Sequence, residues 1–125
     1  MQIEIKGRNV PITDELREHT ERRLSKVARQ VSDLARLEIE ISKEPNPRVT
    51  DCQVAEGTLY LKGVTLRARD ASPEMLHSLN MMVDELARQV KRHRDKLRRR
   101  REAQGDAARA NHVAPEQGPL PSTSG

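Results

Sequence analysis

With 125 residues, 34% of them hydrophobic, one Tyr and no Phe or Trp, the chain suits one domain with a small aliphatic core. This composition disfavours single-strand RNA readers built on aromatic sheets. The lone Cys52 excludes an internal disulfide and no segment approaches the ~20 apolar residues of a membrane span, so we expect a soluble cytoplasmic protein with no membrane partner. The net charge of +4 is concentrated in Arg88 to Arg101, where nine Lys/Arg face a single Asp95, whereas residues 1–87 and 102–125 each carry a net charge of −2.

The first half of the chain predicts a strand, a helix and a second strand. Residues 2–6 alternate between polar and apolar side chains, as a half-buried strand does. Thr13 is a favourable N-cap, and apolar residues then recur every three or four positions as far as Leu34. This spacing predicts an amphipathic helix over about 14–34. Residues 37–42 alternate again and predict the second strand, which Pro45 ends.

The second half predicts two more strands and a closing helix. A third strand covers about 53–61, with Gly57 as a possible bulge, and Gly63 belongs to a hairpin turn before the fourth strand. A helix begins at Ser72-Pro73-Glu74 and is expected to run to about Arg100.

The order of these elements predicts an α+β fold, β-α-β-β-β-α, in which two helices cover one face of a four-stranded sheet. We expect this domain to occupy residues 1–101. Residues 102–125 are rich in Ala, Gly, Pro and Ser, cannot bury enough apolar surface to order themselves, and are expected to form a disordered tail.

The closing helix separates apolar from basic side chains. At about 100° per residue, Leu86, Val90 and Leu97 cluster on one side. The other side holds Arg88, Lys91, Arg92, Lys96, Arg98 and Arg99. The first helix carries a weaker basic stripe of Arg22, Lys26 and Arg29. If both helices lie on the same face of the sheet, the two stripes border a common groove, and double-stranded RNA is read in this way by backbone spacing and shape.

No sequence pattern indicates catalysis. His19, His77, His93 and His112 are scattered and lack Cys or carboxylate partners at metal-ligand spacing. There is no P-loop, no nucleotide-binding glycine pattern and no Gly-x-Ser-x-Gly. We therefore expect no enzyme activity, no catalytic or metal-binding residues, no cofactor and no small-molecule substrate.

Three segments of the chain resemble one known family. They are the opening IEIKGRNVPITDELREHTERRLSKV, the hairpin VAEGTLYLKGVTLRAR and the closing-helix segment MVDELARQVKRHRDKL. Together they resemble the ribosome hibernation-promoting factors, which include the ribosome-associated translation inhibitor once called sigma-factor modulation protein. The resemblance covers about residues 1–98. The chain resembles the short type of this family, because we expect the second folded domain of longer members to be absent.

The resemblance implies a fold like that of a double-stranded RNA-binding domain. It also implies a protein that binds the small ribosomal subunit and its rRNA between head and body, blocks the tRNA and mRNA sites and inhibits translation. The RNA-facing residues implied in this chain are Arg22, Arg23, Lys26 and Arg29 on the first helix and Arg88, Lys91, Arg92, Arg94 and Lys96 on the last. Because no apolar segment remains after Leu97, we expect a monomer off the ribosome.

The chain departs from the family pattern at several positions. Gly57 stands where a β-branched residue is typical, and Leu76 lies in a helix start that differs from the usual one. Glu85 replaces a usual Lys, which removes one expected phosphate contact.

Two other functions use the same residues. One is a general structured-RNA-binding or RNA-chaperone module, which would bind bulk duplex RNA as well as whole ribosomes. The other is an adaptor whose Arg-rich helix binds an acidic protein partner, and its association would resist nuclease.

Overall fold

The computed structural model describes residues 1–117 of the chain. In chain order the elements are β1 (Gln2–Arg8), α1 (Asp14–Gln30), β2 (Arg36–Lys43), β3 (Gln53–Leu61), β4 (Val64–Ser72) and α2 (Met75–Gln117). The strands form one sheet in the order β1-β2-β3-β4, with β1 parallel to β2 and the other neighbours antiparallel. The predicted α+β fold and its β-α-β-β-β-α order are confirmed.

The chain divides into two compact units, which we name separately. The α+β body is Met1–Val90, and the C-terminal unit is Lys91–Gly125. The last helix was expected to end near Arg100 and to be followed by a disordered tail, but α2 continues to Gln117. Ala, Gln, Glu and Arg, which dominate the stretch after Arg101, have high helix propensity. That residues 102–125 form a separate tail stays a prediction, and residues 118–125 lie outside the described part of the chain.

Helix α1 begins as predicted and ends earlier than predicted. The Thr13 side chain caps the helix, because its Oγ1 accepts a hydrogen bond from the backbone N–H of Leu16 at 3.1 Å. The expected end at Leu34 is wrong, since α1 ends at Gln30 and Leu34 is 92% exposed. The Ser32 hydroxyl accepts a hydrogen bond from the Leu34 N–H at 3.1 Å, and such local bonds compete with continuation of a helix.

One face of the sheet is buried against both helices. The strands contribute Ile5, Leu37, Ile39, Ile41, Ala55, Leu59 and Ala68 to a single hydrophobic core; α1 contributes Leu16, Leu24 and Val27, and α2 contributes Leu79, Met82, Val83, Leu86 and Val90. The alternating side chains of β2, such as Glu38 and Glu40, lie on the opposite face and stay partly exposed. The predicted two-layer arrangement is therefore correct for the α+β body.

Gly57 does not mark a β-bulge, which corrects the sequence prediction. The register is unbroken around it, with Glu56 opposite Glu40 and Gly57 opposite Ile39. Gly57 instead lies against α2, where an added Cβ would be 2.6 Å from the Met82 sulfur. The absence of a side chain at this position therefore makes room for α2. The turn at Gly63 is as predicted, because this residue has a φ of 81°.

Helix α2 is anchored to β3 at its start. The Ser72 hydroxyl accepts a hydrogen bond from the Glu74 N–H at 3.2 Å, and the Ser78 hydroxyl donates to the Gln53 carbonyl at 2.6 Å. The apolar stripe of α2 was expected to reach Leu97. In the structure the core ends at the fully buried Val90, and the half-buried Leu97 is not a member of it. Among the described residues, no helix is both long and apolar enough to cross a membrane.

Candidate nucleic-acid interface

The basic residues predicted on α1 all lie on its exposed side. They are Arg22, Arg23, Lys26 and Arg29. Leu24 and Val27, which alternate with them along the helix, are fully buried in the core. The Arg29 Nε donates to the Ser25 carbonyl one turn earlier at 3.4 Å. Amphipathic spacing therefore fixes which cations of α1 are presented to solvent.

Two side-chain contacts join α1 to α2. His19 Nε2 lies 2.7 Å from Asn80 Oδ1, and the Arg23 guanidinium lies 3.2 Å from the Asp84 carboxylate. The Arg23 and Asp84 side chains remain 41% and 56% exposed. This ion pair holds one predicted RNA-facing arginine close to a carboxylate whose position the sequence analysis did not predict.

Arg88 is also held by a carboxylate. Its Nε and Nη2 donate to the same oxygen of Glu85, at 3.0 and 2.8 Å. The other oxygen of Glu85 accepts from Gln89 at 3.1 Å, and Gln89 in turn donates to the Arg67 carbonyl of β4 at 2.7 Å. Glu85 therefore does more than remove an expected cation, because it also fixes the orientation of Arg88.

These pairs do not block an anionic ligand. The Arg88 side chain is 65% exposed and the Glu85 side chain 32% exposed. Solvent-exposed ion pairs contribute only about 0–1 kcal/mol to stability. A phosphate can thus take the place of the carboxylate at Arg23 or Arg88 with little loss of folding free energy, although binding is weakened by having to displace it.

The remaining predicted residues belong to the C-terminal unit. Lys91, Arg92, Arg94 and Lys96 are all exposed on the helix, as are the arginines at positions 98–101. Arg98 lies 3.3 Å from the carboxylate of Asp95, which is the sole acid between Lys91 and Arg101. This stretch therefore keeps a large local excess of positive charge.

The structure separates the nine predicted residues into two groups. Arg22, Arg23, Lys26, Arg29 and Arg88 lie in the α+β body, and Lys91, Arg92, Arg94 and Lys96 lie in the C-terminal unit. A common groove bordered by both sets stays a prediction. Asp84 was missed at the sequence level. Its contact with Arg23 depends on tertiary packing, whereas the i,i+3 pairing of Glu85 with Arg88 could have been read from the spacing.

The metal-ligating side chains that the structure describes do not cluster. Within residues 1–105, no three His, Cys, Asp or Glu side chains come together as a metal site. His19 is engaged with Asn80, and the half-buried Cys52 thiol has the Gln53 amide 3.9 Å away.

Comparison with known proteins identifies relatives along most of the chain. A "Ribosome hibernation promotion factor" of Picosynechococcus is 29% identical over 97 residues, which cover 77% of this chain and 50% of that protein. A "Ribosome hibernation promoting factor" of Salmonella typhimurium is 31% identical over 98 residues, or 78% of this chain and 98% of that protein. The chain thus spans half of the cyanobacterial relative and nearly all of the Salmonella relative.

A solved structure has the same fold. The N-terminal domain of Thermus thermophilus Protein Y superimposes with a TM-score of 0.63 and is 26% identical, covering 74% of this chain and 99% of the Thermus chain. The family described as Sigma 54 modulation protein / S30EA ribosomal protein matches residues 3–98, which include α1 and every residue of the two basic groups. Members of this family are non-enzymatic binding proteins. With this match over most of its length, the chain belongs to the Sigma 54 modulation protein / S30EA ribosomal protein family.

Proposed function

We propose that the protein binds the small ribosomal subunit between its head and body. Bound there, it blocks the tRNA and mRNA sites and inhibits translation as a cytoplasmic hibernation factor without a cofactor. Family membership and the nearly full-length likeness to a Salmonella protein named for ribosome hibernation support this proposal. The observation that carries it is that all nine predicted RNA-facing residues are exposed.

The chemistry of these residues favours phosphate as the contacted group. Long basic side chains on helix faces bind the backbone and set position, whereas base readout needs polar or aromatic groups that meet base edges. The chain offers one aromatic residue, Tyr60, and the Arg36 guanidinium already lies over its ring, 4.5 Å from the centroid. Recognition by the shape and backbone of folded rRNA therefore suits this surface better than recognition of a base sequence.

A charge-reversal experiment tests the proposal. Arg92→Glu with Lys96→Glu should weaken co-sedimentation with ribosomes, reduce inhibition of cell-free translation and flatten the salt dependence of binding, because fewer counterions are released. The matched control is Lys62→Glu with Arg67→Glu, which reverses two exposed cations in and after the β3–β4 turn. The control has the same change in net charge and should bind ribosomes nearly as the wild type does.

Other outcomes identify the rival functions. Equal binding to ribosomes and to random duplex RNA at about 150 mM salt would indicate a general RNA-binding or RNA-chaperone module. Association that survives nuclease treatment would indicate an acidic protein partner. Wild-type affinity and salt slope in the Arg92→Glu, Lys96→Glu variant would mean that this helix surface is not the RNA-binding surface.

A further inference from the structure

The basic residues between Lys91 and Arg101 form two separate stripes. Helix α2 is continuous from Lys91 to Gln117, so each residue turns about 100° from the one before it. Two groups of cations result. Arg92, Lys96, Arg99 and Arg100 form stripe A, and Lys91, Arg94, Arg98 and Arg101 form stripe B. The centres of the two stripes lie about 165° apart around the helix axis.

The surface between the stripes does not join them. On the narrower side lie Asp95 and Glu102, and Asp95 is paired with Arg98 of stripe B at 3.3 Å. On the wider side lie the half-buried His93 and Leu97. A phosphate backbone running along the first side would meet carboxylates. Along the second side it would meet the apolar side chain of Leu97.

One phosphate backbone therefore cannot satisfy both stripes. An α-helix with its side chains is about 10–12 Å across, so the cations of stripe A and stripe B point to opposite flanks at about that separation. Stripe B extends over eleven residues, from Lys91 to Arg101, or about 15 Å of helix. This is long enough to follow several successive phosphates of one strand. Stripe A can follow a second strand in the same way.

We infer that the C-terminal unit binds folded RNA between two phosphate backbones, one along stripe A and the other along stripe B. This inference rests on the proposed function and adds Arg98, Arg99, Arg100 and Arg101 to the binding residues. The ligand is two RNA segments held about one helix diameter apart. Uninterrupted A-form duplex fits poorly, because its major groove is deep and narrow.

Neutral double variants of the full chain test this inference by salt dependence. Lys96→Gln with Arg99→Gln removes two cations from stripe A, and Arg94→Gln with Arg101→Gln removes two from stripe B. Gln has a helix propensity close to those of Lys and Arg, so helix content measured by circular dichroism should be unchanged. Each double variant should flatten the slope of log K against log[salt] for ribosome binding by about 1.4–1.8, and the quadruple variant by about twice that.

The possible results separate the two proposals. A wild-type slope for the stripe B variant alongside a flattened slope for the stripe A variant would overturn the two-strand inference and leave ribosome binding intact. Wild-type slopes for both variants would overturn the inference and remove the helix from the proposed interface. A flattened slope in both variants is the expected result.

A cross-linking experiment provides an independent test. Arg94→Cys and Lys96→Cys, each in a Cys52→Ser background, place a single thiol on stripe B or on stripe A, about 160° apart. With a short photo-activated cross-linker, the two thiols should attach to non-contiguous segments of rRNA in purified ribosomes. Attachment of both to the same run of nucleotides would overturn the inference, even if binding itself is normal. Failure of both to attach to rRNA, in protein that still co-sediments, would also overturn it.

Discussion

The contact between Gly57 and α2 leads to a quantitative prediction about stability. A Cβ built on Gly57 would lie 2.6 Å from Met82 Sδ and 2.9 Å from Leu86 Cδ1, up to about 0.8 Å inside the 3.4 Å at which ordinary contact begins. Met82 and Leu86 are both fully buried, so neither can swing into solvent to make room. Gly57→Ala should therefore overpack the core at a cost of about 1–3 kcal/mol.

A smaller favourable effect opposes this cost. Gly57 does not have a positive φ, so Ala can adopt its backbone conformation, and replacing Gly by Ala then gains about 0.4–1 kcal/mol by restricting the unfolded chain. The net expectation for Gly57→Ala is destabilisation of about 1 kcal/mol. Met82→Ala alone should cost about 2–5 kcal/mol, because it leaves a cavity in the core.

The two changes should compensate each other when combined. The methyl group that Gly57→Ala adds would occupy space that Met82→Ala vacates, so the double variant should be more stable than the sum of the single effects by about 1–2 kcal/mol. Urea unfolding followed by far-ultraviolet circular dichroism, with linear extrapolation, measures all four proteins of the cycle. Additivity within about 0.5 kcal/mol would refute the reasoning that Gly57 makes room for α2.

Gly63 supplies the matched control for this cycle. A Cβ there would meet nothing within 4 Å, but the φ of 81° makes any side chain strained. Gly63→Ala should therefore cost about 1–2 kcal/mol through backbone strain alone. The effects of Gly63→Ala and Met82→Ala should be additive. A methyl group added at Gly63 would meet nothing within 4 Å, so it cannot use the space that Met82 leaves.

Four further outcomes are expected. Val90→Ala should cost about 1–3 kcal/mol of stability with little change in the salt slope of ribosome binding, because Val90 is fully buried in the core. Asp84→Asn with Glu85→Gln should increase affinity for ribosomes and change urea unfolding by less than about 1 kcal/mol, because exposed pairs stabilise weakly. Deletion of residues 104–125 should leave the melting temperature nearly unchanged, since the core ends at Val90. Sedimentation equilibrium should give a monomer mass; a concentration-independent dimer would contradict this.

Periodicity and turn chemistry were sufficient to predict most of the α+β body. The third strand was placed at 53–61, and β3 has the same bounds, Gln53–Leu61. The turn at Gly63 follows from a backbone conformation that few other residues adopt. The exposed side of α1 followed from the spacing of Leu24 and Val27, both fully buried. Each of these features is determined by residues that are close together in the sequence, so each can be predicted from a single sequence.

The wrong predictions concern features that depend on tertiary packing, or on local side-chain hydrogen bonds that compete with the helix. Leu34 fits the apolar period of α1, yet the helix ends at Gln30, and the Ser32 hydroxyl accepts a hydrogen bond from the Leu34 N–H. Gly57 was interpreted from strand geometry alone, whereas its environment is set by Met82 on a helix twenty-five residues later. Leu97 continues the stripe of α2, but periodicity cannot indicate where the core ends.

The distribution of acids gives the two groups of predicted RNA-facing residues different roles in the proposed complex. In the α+β body, Arg23 and Arg88 are each paired with a carboxylate, Asp84 and Glu85. Between Lys91 and Arg101 there is a single acid for eight Lys/Arg, so positive charge is most concentrated there, and its attraction for phosphate is screened beyond about 8–10 Å at physiological salt. Approach of a phosphate backbone is therefore steered by the C-terminal unit. In the body, Arg23 and Arg88 must exchange carboxylate for phosphate before they contribute. That exchange favours RNA whose backbone is already held in the matching shape over flexible strands that would also have to be ordered.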